Sequence, residues 1–382
     1  VLTCGADGSQ EARGETCDAQ KKVACRAGAC VDLCKLAEQN RSNVGCEYWA
    51  VDLDNAVTSS GSAAAQQFAV VVSNPQPDLP ARIVVEEDTA KPGEPPKVRV
   101  IAEGNVNPRN LEVFKLGPKE VDGSAEGTFD TGPGTALTRG AFKITSDVPI
   151  VAYQFNPLEN VNVFSNDASQ LLPVAALSGS GGGGYVIAGW PQTIARSETP
   201  ATNFGIDLRA FLAIVGTRPD TKVTVKTTAR IVSGGPTFLP QGTPKGGTVE
   251  VTLQPHEVLN LETGDFNADF TGTIVTSDKP VVAFPGSEAS DAPFFSTLAE
   301  RQCCADHLEE QAIPTRAVGK RYVLGRVPNR SRAVAAAGGA VGPFDELEYY
   351  RVVAVNPGKT TVKTTLAQPF AELVLDGVGS NV

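Results

Sequence analysis

The segment Cys303-Cys-Ala-Asp-His-Leu-Glu-Glu310 gathers two thiols, an imidazole and three carboxylates into eight residues. These are the ligand types of a metal site. Cys beside His is also the pairing of a nucleophilic site. The spacing suits neither. Ligands this close in sequence need a second cluster to converge with. The only other histidine is His256, in Leu253-Gln-Pro-His-Glu257, which reads as an exposed turn between two strands. Cys303 and Cys304 are therefore expected in disulfides, either with each other or with the N-terminal cysteines. There is no Gly-x-Ser-x-Gly elbow and no paired acid/base arrangement. The reading assigns no catalytic residue, no metal ligand and no cofactor.

Two acidic stretches, Asp52-Leu-Asp-Asn55 and Glu86-Glu-Asp88, offer oxygens of the kind calcium takes. Neither has the full pattern of a calcium loop, and both read as solvated strand ends. Gly179-Ser-Gly-Gly-Gly-Gly184 precedes a strand and not a helix, so it lacks the anion-binding end a phosphate loop needs. It reads as a connector.

The elements that must position these residues repeat along the chain. Tyr185-Val-Ile-Ala-Gly-Trp-Pro191 returns as Tyr322-Val-Leu-Gly-Arg-Val-Pro328, and 322 − 185 is 137. Val225-Lys-Thr-Thr228 returns as Val362-Lys-Thr-Thr365, again 137 residues on. The same step back from Tyr185 reaches Tyr48, in Cys46-Glu-Tyr-Trp-Ala-Val51. Thr145-Ser-Asp-Val-Pro-Ile-Val-Ala152 matches Thr276-Ser-Asp-Lys-Pro-Val-Val-Ala283 at a step of 131, and each reads as a hairpin turn. A period of this size is a whole domain.

Inside the middle repeat, Lys222-Val-Thr-Val-Lys226, Thr248-Val-Glu-Val-Thr252 and Glu257-Val-Leu-Asn-Leu-Glu262 alternate polar and apolar residues. That is the signature of strands with one buried and one wet face. About seven such strands fit an immunoglobulin-like sandwich. The expected class is all-β: tandem immunoglobulin-like β-sandwiches behind a small disulfide-rich module. The expected units are 1–46, 47–175, 176–316 and an incomplete third repeat at 317–382. Tyr350-Arg-Val-Val-Ala-Val355 and Thr361-Val-Lys-Thr364 read as front-half strands of that third repeat. It could be a fragment, it could pack on the second repeat, or another chain could supply its missing strands.

Cys4, Cys17, Cys25, Cys30, Cys34 and Cys46 crowd the first 46 residues. Six cysteines in a stretch with little core read as disulfides in an oxidising compartment, with 15 possible pairings. Cys30 and Cys34 read as one side of a short helix. With Cys303 and Cys304, all eight are expected oxidised. The chain opens on Val1 and contains no Met. A mature form with its leader removed is the simplest reading, although a fragment boundary would look the same. Net charge is −10, without a basic patch interleaved with aromatics, so no nucleic-acid partner is expected. No apolar run approaches the roughly 20 residues of a membrane helix.

Gly45-Cys-Glu-Tyr-Trp-Ala-Val-Asp-Leu53, the two Thr-Ser-Asp-x-Pro phrases, and Cys303-Cys-Ala-Asp-His-Leu-Glu-Glu-Gln311 leading to Pro314 and Tyr322-Val-Leu324 together resemble the N-terminal domain of the IgG-Fc-binding protein family. The resemblance runs from about Gly45 to Val382. It implies secretion and a role in binding or surface architecture, with no catalytic residues to carry over. The Ala-, Val- and Arg-rich texture points to a bacterial member, and the antibody binding that the family name implies has no support in these residues. The expectation is a non-enzymatic extracellular structural or adhesive protein that polymerises with itself or binds other surface proteins or glycans. The alternative is a carbohydrate- or protein-binding module of an extracellular complex, although grouped exposed aromatics, which that would need, are thin.

Overall fold

A computed structural model describes residues 2–4, 11–13, 17, 23–26, 29–40, 42–59, 61–163, 165–177, 184–301, 305–340 and 342–382. The regular structure is mostly strand, and the chain forms two β-sandwiches in tandem. In the first, one sheet runs in the order Val98–Val106, Ala81–Asp88, the first half of Ala141–Asn156, and Gly45–Val51. The facing sheet runs Leu111–Leu116, Phe68–Ser73, the second half of Ala141–Asn156, and Asp167–Gln170. Phe68 and Phe142 stack across the gap at 5.7 Å. Fully burying side chains of this size contributes about 1.5–3 kcal/mol each.

The second sandwich has the same order. Its outer sheet runs Thr248–Leu253, Thr221–Lys226, Ile274–Ser277 and Tyr185–Val186. Its inner sheet runs Val258–Glu262, Ala210–Gly216, Val281–Ser290 and Asp306–Glu309. A short strand from the first half of the chain, Ala136–Thr138, extends this inner sheet at Val258–Glu262.

The Thr-Ser-Asp-x-Pro phrases are not hairpin turns. Each marks the corner where the chain leaves one sheet and enters the other, as expected of a residue pair that cannot supply a ladder N–H at Pro. The corners are built alike. Asp147 Oδ1 accepts from the Arg82 N–H and Asp278 Oδ1 from the Lys222 N–H, both at 2.8 Å. The tyrosine hydroxyls brace the residue after each proline. Tyr48 donates to the Ile150 carbonyl (2.5 Å) and Tyr185 to that of Val281 (2.7 Å).

The third segment departs from expectation. Tyr322 is 68% exposed and in no strand, and its hydroxyl accepts from the Gly319 N–H. Tyr350–Val355 is not a strand either. Only Val353 forms a bridge, to Asn381. The strand Lys359–Lys363 does form, as a hairpin with Glu372–Asp376. The segment docks on the second sandwich through Arg351, whose guanidinium lies 4.7 Å from the Trp190 ring and pairs with Asp269. Gly272 and Gly379 meet backbone to backbone. Each has positive φ, and a Cβ on Gly272 would sit 2.4 Å from the Gly379 carbonyl oxygen.

At the N-terminus, Cys17–Cys30 and Cys34–Cys46 are bridged. Cys30 lies on the strand Ala29–Asp32 and Cys34 on the helix Leu33–Asn40, so the two do not share a helix face. The module has more core than its composition suggests, because Ala24 and Leu33 join the core of the first sandwich. Cys25 is exposed and unpaired among the described residues. The side chain of Cys4, all of Cys303 and Cys304, and the connector at 178–183 lie outside the described residues. No helix among the described residues is long and apolar enough to cross a membrane.

Candidate functional site

The inner sheet of the second sandwich is buried on both faces. Every residue of Ala210–Gly216, Val258–Glu262 and Val281–Ser290 is buried. Leu212, Ile214, Leu259 and Leu261 point into the second sandwich's own core. Phe211, Ala213, Val215, Val258, Val282 and Phe284 pack with the first sandwich. The register places Asn260 opposite Ala213 and Glu262 opposite Phe211, so both lie on this junction side. Strand alternation puts Glu288 there too.

From the first sandwich come Trp49 and Val51, then Asp52–Asn55 as the chain leaves its strand. Asp52, Asp54 and Asn55 are all buried, so this is not a solvated strand end. His256 is buried as well, against the expectation of an exposed turn. Its ring meets Trp49 edge-on at 4.8 Å, and Nδ1 lies 2.9 Å from the Ala141 carbonyl oxygen. Its φ of 68° is left-handed turn geometry, carried out inside the junction.

Two charged clusters occupy this junction. In the first, Arg139 is buried and pairs with Asp88 (2.9 Å) and Glu257 (3.3 Å). Burial would raise the Asp88 carboxyl, but the Ala90 and Lys97 N–H groups and Arg139 together hold it below its usual range. The neighbouring Glu87 binds Arg99 and Lys119. Thus Glu87 and Asp88 are paired buried groups and not free strand ends.

The second cluster is acidic. One oxygen each of Asp54, Glu262 and Glu288 lie within 4.8 Å of one another, and so do those of Asp54, Glu120 and Asp122. Arg209 is the cation placed among them. Its Nη1 donates to Glu262 Oε2 (3.0 Å), and its backbone N–H donates to Glu288 Oε1 (2.7 Å). Asn260 Nδ2 donates to Glu262 Oε1 (2.9 Å) and to the Gly134 carbonyl (3.0 Å). Gly134 has φ 87°, and a Cβ there would fall 1.9 Å from Glu262 Oε2, so only glycine fits against the cluster. Burial, and then the neighbouring carboxylates Glu288 and Glu120, push Asp54 far above the usual range. Burial first, then Asp122 and Asp52, raises Glu120 to about 10. Buried Asp54 Oδ1, Glu120 Oε2 and Glu288 Oε2 have no hydrogen-bond partner.

His307 sits on the same sheet and is sealed from solvent. Its Nε2 lies 3.4 Å from Glu309 Oε2, and Gln154 Nε2 donates to Glu309 Oε1 at 3.1 Å. Burial lowers His307 to about 4 and raises Glu309 well above its usual range. This pair lies without solvent access at the sheet edge.

A model of the family described as IgGFc binding protein matches residues 167–377, which is 211 of 382 residues. The chain belongs to the IgGFc binding protein family. Human IgGFc-binding protein is 26% identical over 200 residues, covering 52% of this chain but only 3% of the human protein's length. No solved structure matches. The family match begins in the strand Asp167–Gln170 and takes in the second sandwich and the third-segment hairpin. Gly45–Leu53 and Thr145–Ala152 lie outside it. Glu262 and Glu288 therefore come from the matched region, and Asp54, Glu120 and Asp122 from outside it.

Sequence reasoning named Asp54 and His307 but missed Glu120, Glu262 and Glu288. Glu262 looked like the wet end of an alternating strand. For Glu288 a signal was available: a lone charge in Phe284-Pro-Gly-Ser-Glu-Ala289, directly continuing an apolar strand.

Proposed function

We propose that this chain is a non-enzymatic, extracellular protein-binding unit, and that it binds through residues 322–374. The observation that carries this reading is where large apolar side chains stand in the open. Val323 is 92% exposed, Leu347 77% and Phe370 53%. The hairpin Lys359–Lys363 with Glu372–Asp376 is a two-stranded sheet, so both of its outer edges carry unpaired backbone groups. Open strand edges recruit further strands.

The partner proposed is a second copy of this chain, donating strands head to tail. Such contacts extend into filaments unless the rotation closes a ring. In this reading the two sandwiches are copies of one fold, with units at 47–175, 176–316 and 317–382. Their matched strand order, corner aspartates and bracing tyrosines support that. The Cys17–Cys30 and Cys34–Cys46 bridges support an oxidising, extracellular location.

The test is sizing and electron microscopy of the full chain and of a 322–382 deletion, with antibody Fc titrated as a second ligand, since the human relative is named for it. Concentration-dependent assembly that disappears in the deletion is the expected result. A monodisperse monomer at high concentration, or assembly unchanged by the deletion, would sink self-association. Fc binding lost in the deletion would keep the protein-binding reading with a different partner.

A further inference from the structure

We propose that the junction between the sandwiches binds one calcium ion, held by Asp54, Glu262 and Glu288 with Glu120 beside Asp54. The cluster alone would not carry this. The second observation is that Asp54 and Glu288 are each 2% exposed, and each has one buried oxygen without a partner, Oδ1 and Oε2, while one oxygen of each lies within 4.8 Å of the other ligands. The Asn260 amide abuts the same space. Its Nδ2 is committed to Glu262, and its Oδ1 is buried and unpartnered as well.

An unsatisfied buried acceptor costs about 1–3 kcal/mol, more when charged. Native proteins do not leave several of them facing one another unless something else fills the gap. Asp122 is already used: its oxygens accept from the Ser124 N–H, the Ser124 hydroxyl and the Gly132 N–H. That leaves Asp54 Oδ1 and Glu288 Oε2 as unpartnered acceptors, and Arg209 as the cation among them.

The donors are all oxygen, which selects a hard cation over zinc or copper. A ligand spread of up to 4.8 Å spans two Ca–O bonds of about 2.3–2.6 Å on opposite sides of an ion. Magnesium, with bonds of about 2.0–2.1 Å, demands near-ideal octahedral geometry and gives up its waters reluctantly, which a buried carboxylate set does not favour. The ligands come from both sandwiches, so the ion would fix one sandwich against the other.

The test uses the full chain, stripped with EGTA and titrated with calcium chloride in a calorimeter, with magnesium chloride for comparison. One calcium per chain is expected, with magnesium at least about tenfold weaker. The melting midpoint should rise on the order of 5 °C at a hundredfold excess over Kd. Asp54→Asn and Glu288→Gln remove a charge at nearly constant shape. In EGTA each should melt no lower than the wild type, because a buried repulsion is gone, and each should bind calcium at least about tenfold more weakly. Glu159→Gln, an exposed carboxylate elsewhere, should change neither. If the wild type takes up no calcium, or if the two carboxamide variants keep the full calcium response, the proposal is wrong and the carboxyls stay neutral by holding protons. The wild-type titration decides even if a variant fails to fold.

Discussion

The two sheets of the second sandwich carry the same alternating pattern and put it to opposite uses. In Thr221–Lys226, Lys222 and Lys226 are exposed, and the strand's polar side faces water. In Val258–Glu262, Asn260 and Glu262 sit on the polar side too, yet nothing there is exposed. The difference lies in the neighbour. The outer sheet has solvent behind it, whereas the inner sheet has the first sandwich. Alternation therefore reports that a strand has two unlike faces, and does not report that one of them is wet. Glutamate on such a strand marks either solvent or a polar junction, and only the opposing surface decides which.

This comparison is sharpest at apolar positions. Phe284→Ala, on the junction side of the inner sheet, should cost about 3–5 kcal/mol in denaturant unfolding. Lys222→Ala, on the outer sheet, should stay within about 0.5 kcal/mol. Equal small effects would mean that the junction face is no more a core than the outer one.

A smaller effect is expected at the sheet corners. Tyr185→Phe and Tyr48→Phe each leave a buried carbonyl without its donor, at a cost of about 1–3 kcal/mol. The two values should agree, since the corners are built alike. A loss at only one of them would say that the sandwiches do not share this brace.

The smallest effect is a pH dependence at the junction. Burial lowers the His256 pKa from 6.5, with Asp88, Glu86 and Lys143 as the charges that modulate it. A histidine kept neutral by folding binds fewer protons folded than unfolded below about pH 6.5, so its contribution is lost as pH falls from there. His256→Asn tolerates the left-handed backbone and cannot titrate. The stability difference between wild type and this variant should shrink from pH 7.5 to 5.5, and a difference flat across that range would place His256 in solvent.

Much of the fold was readable in the residues. Tyr48, Tyr185 and the two Thr-Ser-Asp-x-Pro phrases located equivalent points, because a tyrosine brace and a proline corner need specific residues at fixed spacing. What those points do was not readable: a corner and a hairpin use the same Asp and Pro. Tyr350–Val355 has strand composition but no strand, because its pairing is short and one-sided: only the backbone of Val352–Ala354 bonds to a neighbour, the chain's last residues Gly379–Val382. The carboxylate cluster stayed hidden as well. Asp54 and Glu288 are 234 residues apart, and only the packing of one sandwich on the other brings them together.

The sandwiches share one core across the junction. Hydrogen exchange read by mass spectrometry tests it most directly, comparing wild type with Phe284→Ala at two strands. One is Ala210–Gly216, beside the substitution, and the other is Phe68–Ser73, inside the first sandwich. A shared core predicts that both strands lose protection by a similar factor. Loss confined to Ala210–Gly216, with Phe68–Ser73 exchanging as in the wild type, would contradict it and leave two independent sandwiches.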